Sequence, residues 1–196
     1  MATRKKPAAQ YHHGDLRAAL VKTAWAVVEK QGAEALSLRS VAEALGVSHA
    51  APAHHFADKA ALLEAMKAEA FARFAGVLEA SETGGLRAVG RAWVRFAVEH
   101  PRQANFMFRP GLGPNPARDA ERARCWAVVS RTVALELGPR RAADAKELAV
   151  LSTAAWAALH GLASLVTEGA LPATGRAAEV LRERVLDVVL AGLASA

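Results

Sequence analysis

Apolar residues recur along this chain at intervals of three and four, and no stretch alternates convincingly enough to suggest a strand. Leu16, Leu20, Ala24, Val27 and Val28 form one stripe of a first helix, which Gly32 ends. Ser37 is placed to cap a short second helix, "LRSVAEAL", with Val41, Ala42 and Leu45 facing inward. Gly46 stops it, because a left-handed residue is cheapest as glycine. Ser48 then caps a predicted third helix, in which Pro52 near the first turn loses at most one internal hydrogen bond. Asp58 caps a fourth, "KAALLEAMKAEAFARFAGVL". Beyond it, "ETGG", "EHPR", "RPGLGPNP", "LGPRRAAD" and "EGALPATG" punctuate further helical stretches with Pro and Gly. The pattern predicts an all-α protein of about nine helices, with a head over residues 1–58 and a larger body over 59–196.

Residues 37–56 thus read as helix, glycine-containing turn, helix, which is the spacing of a helix-turn-helix. Ala42 is small enough to let the two helices cross closely, and Val47 and Phe56 are placed to lock the second against its neighbours. The segment "GVSHAAPAHHFADK" is too polar for a core helix. Its outward face of small side chains and histidines suits a nucleic-acid groove.

Charge adds to that picture. The net charge is +6, and residues 1–60 hold eight Lys/Arg against five Asp/Glu, with five of the seven histidines. The positive excess is densest in the predicted head, where it would attract a polyanion; charge alone is equally compatible with a basic protein that has no such partner. One cysteine, Cys125, rules out an internal disulfide and suits a reducing compartment. The N-terminal charges are followed by no apolar run, so no signal peptide is expected. From 148 to 167, "LAVLSTAAWAALHGLASLVT" is uncharged and long enough to cross a bilayer. Ser152, Thr153, His160, Gly161 and Ser164 interrupt it and no basic or aromatic flank accompanies it, so a buried helix is expected, with no membrane as partner.

At "YHHGDLRAAL" (11–20) and "ALSLRSVAEALGVSHAAPAHHFADKAALLEAM" (35–66) the sequence resembles the tetracycline-repressor family of transcriptional regulators. "WAALHG" (156–161) and "FAVEHPRQANFMF" (96–108) are similar to a C-terminal domain type named for a Trp-His-Gly motif. The resemblance implies a cytoplasmic homodimer of helical subunits that binds a palindromic double-stranded DNA operator. A small-molecule effector in the body then releases the DNA. By position it implies that His49, Ala50, Ala51 and His54 meet base edges or phosphates, and that His55 and Lys59 meet phosphates. Ser37, Arg39 and Ser48 join this set, with Arg4, Lys5 and Lys6 as a basic arm. The physical chemistry agrees, since a helix N-terminus bearing Lys59 favours a phosphate and an imidazole can donate to guanine. One departure stands out: the family's usual tyrosine three residues before the phenylalanine is replaced by Ala53, which removes a phosphate donor.

Other chemistry finds little support. The adjacent pairs His12–His13 and His54–His55 diverge around a helix, and His49 lies five residues from His54, so no metal site is expected. No phosphate-binding loop, nucleophile elbow or paired zinc signature suggests an enzyme, and no cofactor is implied. Cys125 reads as a small core residue rather than a reactive thiol. The aromatic residues of the body carry more information. Phe71, Phe74, Trp93, Phe96, Phe106, Met107, Trp126, Trp156 and His160 suit either an ordinary core or an apolar ligand cavity in which His160 is a polar contact. The apolar faces of 148–167 and of Val180, Leu181, Val185, Val188, Val189 and Leu193 suit a four-helix dimer interface, or closure of the body itself. Two functions remain open: a ligand-responsive DNA-binding regulator, and a small-molecule- or partner-binding protein of the same fold that has lost its operator.

Overall fold

The computed structural model describes residues 16–111 and 113–195, all of them helix, turn or loop, with no strand among them. The basic triplet Arg4, Lys5 and Lys6 lies outside the described residues. The chain divides into two compact units, Met1–Met66 and Lys67–Ala196.

In the first unit, helix α1 (Leu16–Gln31) packs on α2 (Leu38–Leu45). Leu20, Ala24, Val27 and Val28 of α1 are buried, as are Val41 and Ala42 of α2, following the predicted stripes. The Ser37 side chain accepts from the Ser40 backbone N–H at 2.9 Å, and the Ser40 hydroxyl accepts from the Ser37 N–H at 2.9 Å, a reciprocal cap. Gly46 terminates α2 with φ 77°, a left-handed conformation that disfavours a side chain. The next segment differs from expectation. In place of an α-helix opening at Ser48, a 3-10 turn spans Ala51–His54. Its hydrogen bonds run from Ala51 N–H to Ser48, Ala53 N–H to Ala50 and His55 N–H to Pro52 carbonyls. Pro52 has no N–H to extend an α-helical ladder, and the segment is too short to start one after it. Asp58 then caps α3 (Lys59–Glu79), accepting from the Ala61 N–H at 2.8 Å.

The second unit holds the rest of α3 with α4 (Gly85–Glu99), α5 (Pro101–Met107), α6 (Pro116–Ala142), α7 (Ala145–Thr167) and α8 (Arg176–Ser195). Helix α4 is central and packs on α6, α7 and α8. Its Leu86, Val89, Trp93 and Phe96 are buried, together with Phe71, Phe74 and Leu78 of α3 and Leu159 of α7. Gly90 lets α4 approach its neighbours closely, because a methyl there would meet Leu186 and Leu159. On the outside, Arg91 makes a two-pronged contact with Glu183 at 2.7 Å for each hydrogen bond, and Arg87 reaches Asp187 and Glu183. The Arg91 hydrogen bond holds the Glu183 carboxyl below the usual carboxylate range. Helix α6 is interrupted at Gly138, where φ is 73°, within the predicted "LGPRRAAD" break. Helix α7 is long and apolar enough by length and composition to cross a membrane. Here its Leu151, Ala155, Leu159 and Leu162 are buried, and the helix packs on α4, α6 and α8.

Candidate DNA-binding surface and ligand cavity

The segment between α2 and α3 is anchored by two side chains, Pro52 and Phe56, which are buried. The Arg17 guanidinium lies 5.2 Å from the centre of the Phe56 ring, adding a cation–π contact to that anchor. Most side chains around these anchors turn outward. Ser48, His49, Ala50, Ala53, His54, His55 and Lys59 are exposed, and Ala51 is half-buried. Ser37 is occupied by its cap and is half-buried, whereas Arg39 is exposed. Sequence reasoning missed Glu43. Its carboxylate accepts from Arg39 Nε at 2.9 Å and lies 3.4 Å from His49 Nε2, so it holds two of the expected DNA-contacting side chains together. The Arg39 pair was legible as an i,i+4 spacing; the His49 contact crosses the Gly46 turn and was not.

In the second unit a cavity of about 400 Å³ is lined by Phe74, Trp93, Phe96, Met107, Phe108 and His160, with Asn105, Arg109, Ser164, Thr167 and Glu168 as its polar groups. That volume lies within the ordinary range for small-molecule sites. Phe108 organises the rings. It lies parallel to Trp93 at 6.1 Å, meets His160 at 4.3 Å, and stands nearly perpendicular to Phe71 and Phe74 at 5.6 and 6.3 Å. Burial lowers the His160 pKa, against an opposing pull from Glu168, so its imidazole is neutral at neutral pH and offers one donor and one acceptor. The Thr167 hydroxyl is 2.8 Å from Asn105 Oδ1. Of the predicted ligand residues, Phe74, Trp93, Phe96, Met107 and His160 converge on this cavity. Phe71 packs behind it through its contact with Phe108. Phe106 stands apart, with the Lys67 ammonium 5.5 Å from its ring centre. Trp126 and Trp156 line a second, more open groove of about 380 Å³ with Asp119, Arg122 and Ala123.

Two family models match the chain: tetR-family bacterial regulatory proteins over residues 20–66, and the tetracyclin repressor-like C-terminal domain over residues 86–189. The chain belongs to the tetracycline-repressor family. Among solved structures similar to this regulator is a protein of unknown function from Rhodococcus sp. RHA1. The two are 30% identical, the match covers 94% of this chain and 98% of that one, and the TM-score is 0.77. Two others share the fold at lower identity. A TetR/AcrR-family transcriptional regulator from Thermobifida fusca YX-ER1 is 19% identical, with 91% and 98% of the two chains covered and a TM-score of 0.64. A TetR-family transcription regulator from Marinobacter aquaeolei VT8 is 18% identical, with 87% and 93% covered and a TM-score of 0.61. No curated protein matches the chain.

As a tetracycline-repressor-family member the chain is a DNA-binding transcriptional regulator by class. Its remaining chemistry is sparse. Among the described residues no three His, Cys, Asp or Glu side chains come together to hold a metal ion. Cys125 is fully buried, and burial, aided by Glu121, pushes its thiol up to about 12. The flanking Arg122 and Arg124 do not activate it: Arg124 is engaged by Glu79 and Glu121. Leu135 of α6, Val150 of α7 and Val188 of α8 are exposed apolar side chains at 70%, 66% and 72%.

Proposed function

We propose that the protein is a cytoplasmic, homodimeric repressor that leaves a palindromic operator when a small apolar effector fills the cavity of its second unit. The observation that carries this reading is the segment from Ser48 to Lys59. Pro52 and Phe56 anchor it, and its polar side chains Ser48, His49, His54, His55, Asp58 and Lys59 are exposed. Such a surface has no core to serve, and its histidines and Lys59 match base edges and phosphates. The cavity sets aromatic rings beside His160, Asn105, Arg109, Ser164, Thr167 and Glu168, which suits a small molecule with an apolar part and a polar end. Leu135, Val150, Val180, Leu181 and Val188 supply the apolar surface for a second copy of the chain. Binding, not catalysis, is its work.

Footprinting on DNA flanking the protein's own gene tests the reading. The expected result is a symmetric protected site, lost when the molecule recovered from natively purified protein is added back. Absence of any protected site would favour the second reading, an operator-less binding protein of the same fold. Ala53 favours that alternative, since it is exposed and presents only a methyl group.

A further inference from the structure

One carboxylate oxygen ties α2 to the exposed segment that follows it. Oε1 of Glu43 accepts from Arg39 Nε at 2.9 Å, and His49 Nε2 lies 3.4 Å from the same oxygen. Arg39 and Glu43 sit one turn apart on α2, so the helix fixes where that oxygen stands. His49 reaches it from across the left-handed turn at Gly46. Exposed pairs of this kind add little to stability, and the consequence here is chemical. A nitrogen lone pair turned toward a carboxylate oxygen is repelled, so the nitrogen that faces Glu43 is the one that carries the proton. A neutral imidazole has a single N–H, which leaves Nδ1 of His49 as a bare acceptor. Nδ1 has no hydrogen-bonding partner among the described residues, and His49 is exposed. His54 and His55 are exposed too, but neither has an acidic partner to orient its ring.

We infer that Glu43 is a positioning residue that sets DNA specificity: by holding Nε2–H of His49 it leaves Nδ1 to meet the major groove, so that His49 selects adenine or cytosine on the strand it contacts. The inference rests on the reading that the segment from Ser48 to Lys59 meets DNA. In the major groove only adenine N6 and cytosine N4 donate. Guanine N7 and O6 and thymine O4 accept, and each would set a lone pair against that of Nδ1. One hydrogen bond to an amino base, against none to a keto base, separates the two classes by roughly fivefold.

Selection from a pool of duplexes with a randomised core, by the full-length protein at pH 8, reads the preference directly. His49→Ala marks the position, as the one whose base preference collapses while the rest of the selected site is kept. The unaltered protein should enrich adenine or cytosine there by roughly fivefold over guanine or thymine. Glu43→Ala frees the ring to turn either nitrogen toward the bases, and the preference falls to about twofold or less at that position alone. Glu43→Gln, whose amide oxygen still accepts from Nε2–H but carries no charge, lies between the two. Guanine or thymine at the marked position in the unaltered protein, an unchanged preference in both Glu43 variants, or no position marked by His49→Ala overturns the inference while leaving the DNA-binding surface in place. An Nδ1–H tautomer for His49 in nitrogen NMR spectra of the free protein overturns it without any DNA. Enrichment of no sequence by any of the proteins overturns the DNA-binding reading and the inference with it.

Discussion

Gly90→Ala isolates the packing on which the cavity depends. The substitution adds one methyl group to α4 where it faces α7 and α8. That methyl would lie 2.5 Å from Leu186 Cδ2 and 2.9 Å from Leu159 Cδ2. Carbon atoms attract one another best at about 3.5–4.0 Å, so α4 must retreat by about 1 Å or both leucines must leave their rotamers. Overpacking of this kind costs roughly 1–3 kcal/mol. Against it stands the gain of about 1 kcal/mol when glycine in a helix interior becomes alanine. Gly76→Ala supplies the control. It lies within α3, is exposed, and would bring its methyl within 4 Å of nothing, so it takes the helical gain alone. Subtracting the two variants cancels the propensity and leaves the overpacking, about 2 kcal/mol. For a chain of this size that separates the melting temperatures by about 4–8 °C, with Gly76→Ala above the parent and Gly90→Ala below it. The affinity for the effector tells where the strain goes. Trp93 lies one turn beyond Gly90 on the same helix, so a displaced α4 moves a cavity wall and weakens binding. Equal melting temperatures for the two variants would refute the close crossing at Gly90.

Ala53→Tyr places a phenol at an exposed position of the segment proposed to meet DNA; a net gain of about 1 kcal/mol should tighten operator and random DNA alike by roughly fivefold in gel-shift titrations. A gain confined to one sequence would mean that the position reads bases instead. Cys125, buried and with its thiol pushed up to about 12, should resist iodoacetamide at pH 8 in the native protein and react once the chain is unfolded in guanidinium. His160 is lowered from 6.5 by burial, so the folded state favours its neutral form. The stability this confers is present above pH 6.5 and is lost as pH falls below it toward the folded value. Melting temperatures should therefore drop more steeply on acidification in the parent than in His160→Gln, and parallel curves would exclude the linkage.

What was legible in the sequence was what local chemistry decides. Ser37 as a cap, Gly46 as a stop and Asp58 as the next cap each depend on a few adjacent residues, and each stands where expected. The division into helices followed from apolar spacing and from Pro and Gly. The 3-10 turn at Ala51–His54 escaped because only the hydrogen-bond count on either side of Pro52 separates it from a short α-helix. The cavity was half legible. Five of the nine nominated residues line it, because large apolar side chains at helical spacing must face inward. Phe108, Asn105 and Thr167 complete it from α5, its flanking turn and α7, and their meeting is set by how helices cross, on which periodicity is silent. The same crossing separates Trp126 and Trp156 into another groove.

The clasp between α4 and α8 also dictates an order of events at the ribosome. Arg87 and Asp187 are 100 residues apart in the chain, and Leu186 must seat beside Gly90 before that side of α4 is covered. In the first unit the packed helices α1 and α2 are instead sequence neighbours. At about 5–20 residues per second, the stretch from Met66 to Leu193 takes roughly 6–25 s to emerge. Within that interval α4 is made early, and its face around Gly90 waits for Leu186 of α8, which comes close to last. The nascent body is therefore a client for whatever shields apolar surface during synthesis, and slowing translation late in the message should cost more soluble protein than slowing it early.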